Sequence, residues 1–432
     1  MAATPPMRGG GRPRGAKIPI EPYVWQGVGE VTGCLEERRR TVSSQPLHAD
    51  QGQVLAFRLS GHNLAQRLPA GSLLEATGAC GIQNTPPGSA LLALLARVHG
   101  LSLDQVDAAL AVDRTLLQAW SMRGSPFLFP TTDWPVFTVG VQPSSEASWS
   151  ASMPSLDGMI RAAGMPVSQL VELAATGIAQ ALDGRELTKW ELGVELGKRM
   201  PPQLRPWFEH GTFYGANLAR LVSLQGLFCF APRSGKEASF VRTDQWLGHP
   251  LLAPDERQAR AELVRRYLRC YGPSTPDHFA EWAGMGRADA DHSWKLVQEE
   301  LVEVRFENSQ CWLHRDDLAA LESSPPARGV RLLPPYDMWL HQRDRTTLIA
   351  DRRLHKLVWR SSGNPGVMLV EGRVAGLWRP QKTGKRLRLT ATPFVALNAD
   401  ARAAIAAEAA AIAPLRYCAT ADVAFDDRPL KH

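Results

Sequence analysis

Two residues in the first quarter of the chain carry side-chain groups that could hold a water molecule by hydrogen bonding. Gln83 and Thr85 stand two positions apart in the stretch GIQNT at 81–85. A glutamine amide oxygen accepts hydrogen bonds, and a threonine hydroxyl both donates and accepts, so each could hold a water, although neither is a strong base. The alternative is that both side chains only bond the backbone of their own loop. By residue type and spacing alone, bonding to the backbone of the loop is the more common role of such side chains.

Metal and disulfide chemistry is not indicated by the spacing of the usual ligands. The six cysteines are scattered along the chain without a C-x-x-C pair, and the eleven histidines show no ligand spacing. Structural zinc sites and disulfide frameworks are normally announced by such short-range patterns. We expect no metal and no cofactor.

Basic residues concentrate near the C-terminus. Residues 331–390 hold thirteen Lys and Arg against four Asp and Glu, a local balance of +9 in a chain whose net charge is +6. A cationic module suits contact with phosphates, and a solvated strand surface is the alternative. The candidate DNA-contacting residues are Arg123, Arg343, Arg345, Arg379, Lys382, Lys385 and Arg386.

Structural roles compete with phosphate contact for these basic residues. Arg123 could pair with an acid in the core, and Asp344 could tie Arg343 and Arg345 into a structural pair. The basic residues around the turn at 383–384 could be no more than an exposed charged hairpin tip.

Residues 256–318 have the layout of a winged helix. Thr275 offers a capping hydroxyl, Pro276 and Asp277 suit the first helical turn, and Gly284 can end that helix. A third helix is predicted to carry Trp294, Val297 and Leu301 at i, i+3 and i+7. Two short strands, 302–306 and 310–313, then form a hairpin. This order of elements is a common way to place a helix in a DNA groove.

Two earlier regions show related patterns. In the first, helical patterns run over 91–98, 103–110 and 116–120, and a Ser-rich loop is predicted at 143–155. In the second, 188–191 has capping-box spacing, and a helix leads into a hairpin. Each region ends with an apolar strand, then a short polar segment that contains Asp, and then an apolar residue. We predict three tandem winged helices, chance similarity of hairpin ends being the alternative.

In the C-terminal region the apolar residues follow the two-residue period of a strand and no longer the period of a helix. Leu387, Leu389 and Ala391 alternate with polar residues, and turns are indicated at 371–372 and 383–384. A small antiparallel β-barrel or sheet is therefore predicted, followed by an alanine-rich helix at 401–413.

The predicted fold class is α+β, with three tandem winged helix-turn-helix domains followed by a small antiparallel β-barrel. No apolar run approaches the roughly 20 residues that cross a bilayer, and no signal peptide is evident, so a cytoplasmic protein is expected.

The predicted domains are a disordered basic extension at 1–45, winged helices at 46–155, 156–254 and 255–325, a β-barrel at 326–400, and a C-terminal helix and tail at 401–432.

Over residues 50–400 the chain resembles the winged-helix DNA glycosylases of the AlkZ/YcaQ type. The resemblance implies three winged helices and a β-barrel around duplex DNA, and removal of bulky N-alkylated purines without metal or cofactor. The stretches that carry it are CGIQNT at 80–85, WSMRG at 120–124, GLFCF at 226–230 with FVR at 240–242, and LLPPYD at 332–337 with DR at 344–345.

Two positions depart from the family pattern. The family's catalytic motif is a Gln, one residue, and a second Gln or Asp. Gln83 matches the first position, whereas Thr85 stands at the second. After Arg123 and Gly124 the family usually has Thr, an apolar residue and His, but this chain has SPF at 125–127.

Two functions follow from this pattern. The first is a monofunctional DNA glycosylase in which Gln83 positions a water, with Thr85 as a weak partner; such an enzyme could protect its host from a DNA-alkylating metabolite. The second is a non-catalytic winged-helix DNA binder, a regulator or a lesion-shielding protein, favoured by Thr85. In either case the expected partner is double-stranded DNA, with or without alkylation, and the protein is expected to be a monomer that does not engage a membrane.

Overall fold

The computed structural model describes residues 47–152, 154–208, 213–232 and 237–428, and of 213–216 the backbone only. The predicted extension at 1–45 lies outside these residues. No helix within the described ranges is long and apolar enough to cross a bilayer.

The first region consists of short helices around a three-stranded sheet. The sheet has the order β2-β4-β3 and is antiparallel. Its elements are β1 (Leu47–Ala49), α1 (Gln51–Gly61), α2 (Leu73–Gly78), β2 (Ile82–Gln83), α3 (Ser89–Leu95), α4 (Leu103–Asp107), β3 (Leu116–Trp120), β4 (Pro126–Pro130) and α5 (Trp134–Phe137).

The second region has longer helices and another three-stranded sheet, with the order β5-β7-β6. The predicted capping box is confirmed, because Thr188 and Glu191 bond each other's backbone amides at the start of α9. The elements are α6 (Glu146–Ser152), α7 (Asp157–Ala163), α8 (Val167–Ala181), β5 (Leu187–Thr188), α9 (Lys189–Arg199), α10 (Phe213–Ser223), β6 (Phe228–Phe230), β7 (Ser239–Arg242) and α11 (Thr243–Leu247).

The third region contains the predicted cap and hairpin. The Thr275 side chain accepts from the His278 amide, and Gly284 ends that helix with a left-handed backbone. The first strand of the region's sheet is β1, which pairs in parallel with β8. The elements are α12 (Glu256–Tyr271), α13 (Pro276–Ala283), α14 (Arg287–Lys295), β8 (Leu301–Phe306), β9 (Ser309–His314) and α15 (Leu318–Ser323).

One order of elements occurs in all three regions: a short extended segment, two helices, then a hairpin that the segment joins. The segment is β2 in the first region and β5 in the second. In the third it is a single bridge between Ser274 and Trp312. The repeated order agrees with the sequence echo at the ends of the three hairpins.

The predicted barrel is wrong: the C-terminal strands form an open sheet with the order β10-β11-β12-β13-β14. The helix α18 packs on the sheet and leads into a final strand parallel to β13, so the sheet is covered by a helix and does not close on itself. The elements are β10 (Val330–Leu333), α16 (Arg345–Leu348), α17 (His355–Val358), β11 (Gly366–Val370), β12 (Arg373–Thr383), β13 (Arg386–Pro393), α18 (Ala399–Leu415) and β14 (Thr420–Phe425).

Three local predictions are also wrong. Residues 116–120 form β3 and not a helix, because a short apolar run suits either element and pairing with β4 decides. The helix carrying Trp294 ends at Lys295, so Val297 follows it and Leu301 begins β8. The Ser-rich segment at 143–155 contains α6, whose Trp149 is buried in the core of the second region.

Buried side chains connect the regions. Phe127 and Phe137 of the first region share a core with Tyr267 and Trp282 of the third. Two arginines of the first region reach acids more than 200 positions away. Arg97 makes two bonds of 2.8 and 2.7 Å to Asp337, and Arg58 bonds Asp344 at 2.7 Å. The arginine side chains of both pairs are 2 % exposed.

Replacing Asp337 by Ala should destabilise the protein strongly. Arg97 would keep its charge in a buried place without a partner, which costs about 3–5 kcal/mol of the free energy of unfolding. Urea unfolding followed by tryptophan fluorescence measures the change. The matched control is Asp291→Ala, which removes an exposed partner of Arg287 and should change stability by less than about 1 kcal/mol. Equal unfolding midpoints for the two variants would contradict a structural role for the Arg97–Asp337 pair.

Candidate functional site

Gln83 lies at the end of a short buried strand. Its backbone pairs with Phe127 of β4, and the residue is only 7 % exposed. Gly81, two residues earlier, has φ of +70°, and a Cβ there would meet the Phe127 and Phe137 rings at 3.1 and 3.2 Å. The close approach of these two rings explains why the turn into this strand carries a glycine. Gln83 is therefore held from the backbone side by the core of the first region.

The side chain of Arg123 fixes the amide of Gln83. The Arg123 Nη2 atom donates a 3.0 Å hydrogen bond to Gln83 Oε1, and Nη1 donates to the backbone carbonyl of Trp282 at the end of α13. The alternative partner expected for Arg123, an acid in the core, is not the one observed. The Gln83 and Arg123 side chains bond each other and the distant Trp282 carbonyl, and not the backbone of their own loops. A purely local role would require the latter.

The backbone at Arg123 depends on a close contact with Gly284. Arg123 has φ of +56°, and a Cβ on Gly284 would lie 2.7 Å from Arg123 Cγ and 3.0 Å from its backbone nitrogen. Glycine at the end of α13 thus serves the helix cap and the contact at once. The first and third regions meet at this point.

The side chains of Asn84 and Thr85 differ in their hydrogen bonding. Asn84 Oδ1 accepts from the amides of Gly88 and Ala90, and Asn84 Nδ2 donates to Gln118 Oε1 at 2.9 Å. Asn84 therefore orders the loop that leads into α3. Thr85 is half-buried in this loop, and its hydroxyl makes no hydrogen bond with the described residues. That hydroxyl remains available to a water or a ligand.

Arg343 lies near Arg123 and near Arg345, two of the other candidates. Burial lowers the pKa of Arg123 to about 10, and repulsion from Arg343 adds to this shift, so Arg123 stays cationic at neutral pH. Burial and then repulsion from Arg343 also lower the pKa of Arg345. Arg343 contacts Glu281 at 3.4 Å, and the Arg345 guanidinium lies 4.8 Å from the centre of the Trp359 ring. Arg343 thus repels both Arg123 and Arg345, and a bound phosphate would relieve this repulsion.

Asp344 does not tie its two neighbours together. Its carboxylate bonds Arg58 and the Thr347 hydroxyl, so it belongs to the buried framework between the first and C-terminal regions. Arg343 and Arg345 are consequently held on either side of an anchored residue, with their charges not neutralised by it.

Sequence reasoning missed three contributors to this cluster. They are His341, the carbonyl of Trp282 and the contact surface of Gly284. Burial, and then repulsion from Arg123, hold the pKa of His341 well below its usual range, so this imidazole is neutral at pH 7. His341 bonds the backbone carbonyl of Tyr336 at 3.1 Å. No spacing rule connects these residues to Gln83, because they come together only through the packing of distant regions.

The remaining four basic candidates occupy a different place, the hairpin between β12 and β13. All four are exposed. Arg386 pairs with Asp422 at 2.8 Å, and Lys382 donates to the carbonyl of Arg416 and lies over the Tyr417 ring. Arg379 and Lys385 have no ion pair with any described residue. The structure brings Arg343 near Arg123 and near Arg345, and it leaves Arg379, Lys382, Lys385 and Arg386 on the hairpin.

The Gln83 amide is bonded to the Arg123 guanidinium, Arg343 lies near Arg123, and the Thr85 hydroxyl is two positions along the chain. An amide oxygen has two lone pairs, so Gln83 Oε1 can accept from a water in addition to Arg123. The guanidinium groups suit phosphate oxygens. The site can orient water and bind an anionic backbone, and it lacks a strong base among the groups just described.

Comparison with known proteins identifies the family of the chain. The family model described as DNA glycosylase AlkZ-like matches residues 76–415. An interstrand DNA cross-link repair glycosylase from Streptomyces sahachiroi is 26% identical over 349 residues, which cover 77% of this chain and 88% of that protein. The solved structure of the Streptomyces sahachiroi DNA glycosylase AlkZ superposes with a TM-score of 0.71 at 22% identity, over 88% of this chain and 100% of that one.

The matched span includes Gln83, Thr85, Arg123 and all the C-terminal candidates, and it covers well over half of the chain. A DNA glycosylase family implies binding to DNA. The chain belongs to the AlkZ-like DNA glycosylase family.

Proposed function

We propose that this protein is a monofunctional DNA glycosylase that excises bulky N-alkylated purines from duplex DNA. In this proposal three winged helices and the C-terminal sheet hold the duplex, and Gln83 places the attacking water. The observation that carries the proposal is the position of Gln83, fixed by Arg123 at the meeting point of the first and third regions beside Arg343.

The chemistry requires little base strength. A purine alkylated at N7 or N3 is already cationic, and its departure leaves an oxocarbenium-like sugar. The protein must place a water and stabilise the developing charge. Gln83 Oε1 supplies a hydrogen-bond acceptor with partial negative charge, and the bond from Arg123 keeps that oxygen, and not the amide nitrogen, in place.

The charge of Arg123 works against this reaction unless it is compensated. The guanidinium is 3.0 Å from Gln83 Oε1, so a water on that oxygen, and the sugar beyond it, lie roughly 6 Å or more from the cation. At an effective dielectric of about 20, a unit charge at ~6 Å raises the energy of a cationic transition state by roughly 3 kcal/mol. This corresponds to a factor of roughly a hundred in rate. We infer that a backbone phosphate bound by Arg123 and Arg343 offsets this penalty when DNA is present.

The proposed substrate class extends what is known of a relative. The Streptomyces sahachiroi protein is named for interstrand cross-link repair. For this chain we propose bulky N-alkylated purines as the lesions, with protection of the host from a DNA-alkylating metabolite as the biological setting. A monomeric protein suffices for this activity, since all the proposed groups belong to one chain.

A second function is favoured by two observations. The bond from Arg123 withdraws electron density from Gln83 Oε1, which makes it a weaker acceptor for a water, and the second motif position holds Thr85, which has a shorter reach and no carbonyl dipole. A protein that binds damaged duplex through Arg123, Arg343 and Arg345 without hydrolysis would use the same surface. This lesion-shielding binder is the alternative to the enzyme.

Replacing Gln83 by Ala should reduce excision to the spontaneous rate. Water placement by one side chain contributes about 10²- to 10⁴-fold, so the loss should be at least about a hundredfold. Thr85→Ala should lower the rate by less than about tenfold, because a hydroxyl contributes only one weak bond to the water. The assay incubates duplex DNA bearing a bulky N7-alkylguanine with each variant and counts abasic sites.

The matched control for this assay is Gln310→Ala, an exposed glutamine on the β8–β9 hairpin that bonds Glu303. It should keep the full rate. If wild-type protein produces no abasic sites above the spontaneous rate with small or bulky lesions, the enzyme is excluded. Tight binding of the same lesion by that inactive protein would establish the shielding function.

Removing Arg345 should weaken DNA binding and make it less dependent on salt. Every phosphate that the protein no longer neutralises reduces the slope of log affinity against log salt concentration by about 0.9. Fluorescence anisotropy of a labelled undamaged duplex between low and moderate salt measures the slope. Arg428→Ala is the control, since Arg428 is paired with Asp426 and lies after the last strand, and its slope should equal that of the wild type. An unchanged slope for Arg345→Ala would remove Arg345 from the proposed DNA surface.

A further inference from the structure

Three buried side chains with metal-ligating atoms converge below the candidate site. His62 caps the end of α1, Cys80 follows α2 three residues before Gln83, and Cys270 lies in the last turn of α12. The ligating atoms of all three lie within 4.8 Å of one another, and Cys80 Sγ is 3.9 Å from His62 Nδ1. The three residues are 1 %, 2 % and 0 % exposed.

These separations are close to those of a tetrahedral zinc centre. With Zn–S of about 2.3 Å and Zn–N of about 2.0 Å, two sulfurs stand about 3.8 Å apart, and sulfur and nitrogen about 3.6 Å apart. The observed sulfur–nitrogen distance of 3.9 Å is a few tenths of an ångström longer. Small rotations of side chains would close this gap. Backbone carbonyls are also at hand, because Cys270 Sγ lies 3.4 Å from the oxygen of Gly61 and 3.6 Å from that of Ala79.

One ring nitrogen of this cluster lacks a hydrogen-bond partner in the part of the chain that the structure describes. His62 Nε2 is buried and has no hydrogen-bond partner among the described residues. The imidazole is enclosed by the Tyr271 and Trp339 rings, both edge-on to it. Nδ1 faces the Cys80 sulfur, so it is the ring nitrogen available to an ion, and the ring proton is then on Nε2.

Charge balance selects the kind of ion. The buried cation near Cys80 is Arg97, and both of its terminal nitrogens already bond the Asp337 carboxylate. Two thiolates and a neutral imidazole around a divalent ion have no net charge, whereas a monovalent ion would leave a buried negative charge without a partner. Thiolate and imidazole ligands are those preferred by Zn²⁺ among divalent ions.

We propose that His62, Cys80 and Cys270 bind a structural Zn²⁺ ion, with a backbone carbonyl of Gly61 or Ala79 in the fourth position. Binding displaces one proton from each thiol and forms two Zn–S bonds and one Zn–N bond. The ion ties α1, the segment leading to Gln83, and α12 together. It takes no part in the reaction, and the inference does not depend on the proposed function. The ligands are separated by up to 208 positions, so no sequence spacing could reveal them.

The test is the metal content of the full-length chain, expressed in zinc-supplemented medium and purified without chelator or metal-binding tag. Inductively coupled plasma mass spectrometry should find one zinc ion per chain after dialysis. Exchange with Co²⁺ should produce the thiolate-to-cobalt charge-transfer absorption of a tetrahedral site. Removing the metal should lower the melting temperature, since binding free energy contributes to folding.

The variants Cys270→Ser and His62→Ala should lose the zinc. Cys311→Ser should retain it, because Cys311 is equally buried but belongs to the core beneath the β8–β9 hairpin. If the first two variants do not fold, the cobalt spectrum of the wild type decides. Wild-type protein with no zinc and no cobalt charge-transfer band would overturn the proposal, as would a Cys80–Cys270 disulfide found by mass spectrometry of the unreduced protein.

Discussion

The hydrogen bond between Arg123 and Gln83 is the contact on which the organisation of the site depends. A single guanidinium bonds the amide of the first region and the carbonyl at the end of α13 in the third. Arg123 reaches both only because its backbone is left-handed and Gly284 leaves room beside it. The same cation repels Arg343 and adds to the effect of burial in lowering the pKa of His341. The orientation of Gln83 and the electrostatics of its surroundings thus depend on Arg123, while the shared core of the first and third regions holds the two together.

Buried ion pairs fix how the first region is placed against the C-terminal region. Arg58 and Arg97, both from the first region, are bonded to Asp344 and Asp337 in the segment that also carries Arg343 and Arg345. Such pairs add little net stability when formed but are costly to break, so they specify one arrangement of the regions. The proposed zinc site would strengthen the same junction from the other side, because Cys80 and Gln83 lie on one short segment.

Local signals in the sequence were sufficient for individual elements. The hydroxyl of Thr275, the glycine at 284 and the capping box at Thr188 placed helix ends correctly, since each acts within one turn of its helix. Residues 116–120 could not be assigned in this way, because a short apolar run becomes a strand only through its partner β4. The open C-terminal sheet was missed because its last strand, β14, pairs after a crossover by α18, a long-range event.

The site itself was only partly accessible from sequence. Gln83 was identified through a family motif, and its catalytic role stays a prediction. Its partner Arg123 is 40 positions away, and the glycine that admits Arg123 is 161 positions beyond that. Spacing rules operate within one element, whereas these contacts depend on how whole regions pack.

The role of Gln83 is tested most directly by a crystal structure of the protein bound to duplex DNA that carries a cationic analogue of the sugar transition state. We predict a water between Gln83 Oε1 and the anomeric carbon, with a backbone phosphate bonded to Arg123 and Arg343. A duplex bound elsewhere, with Gln83 still enclosed by Arg123 and remote from every nucleotide, would contradict this role.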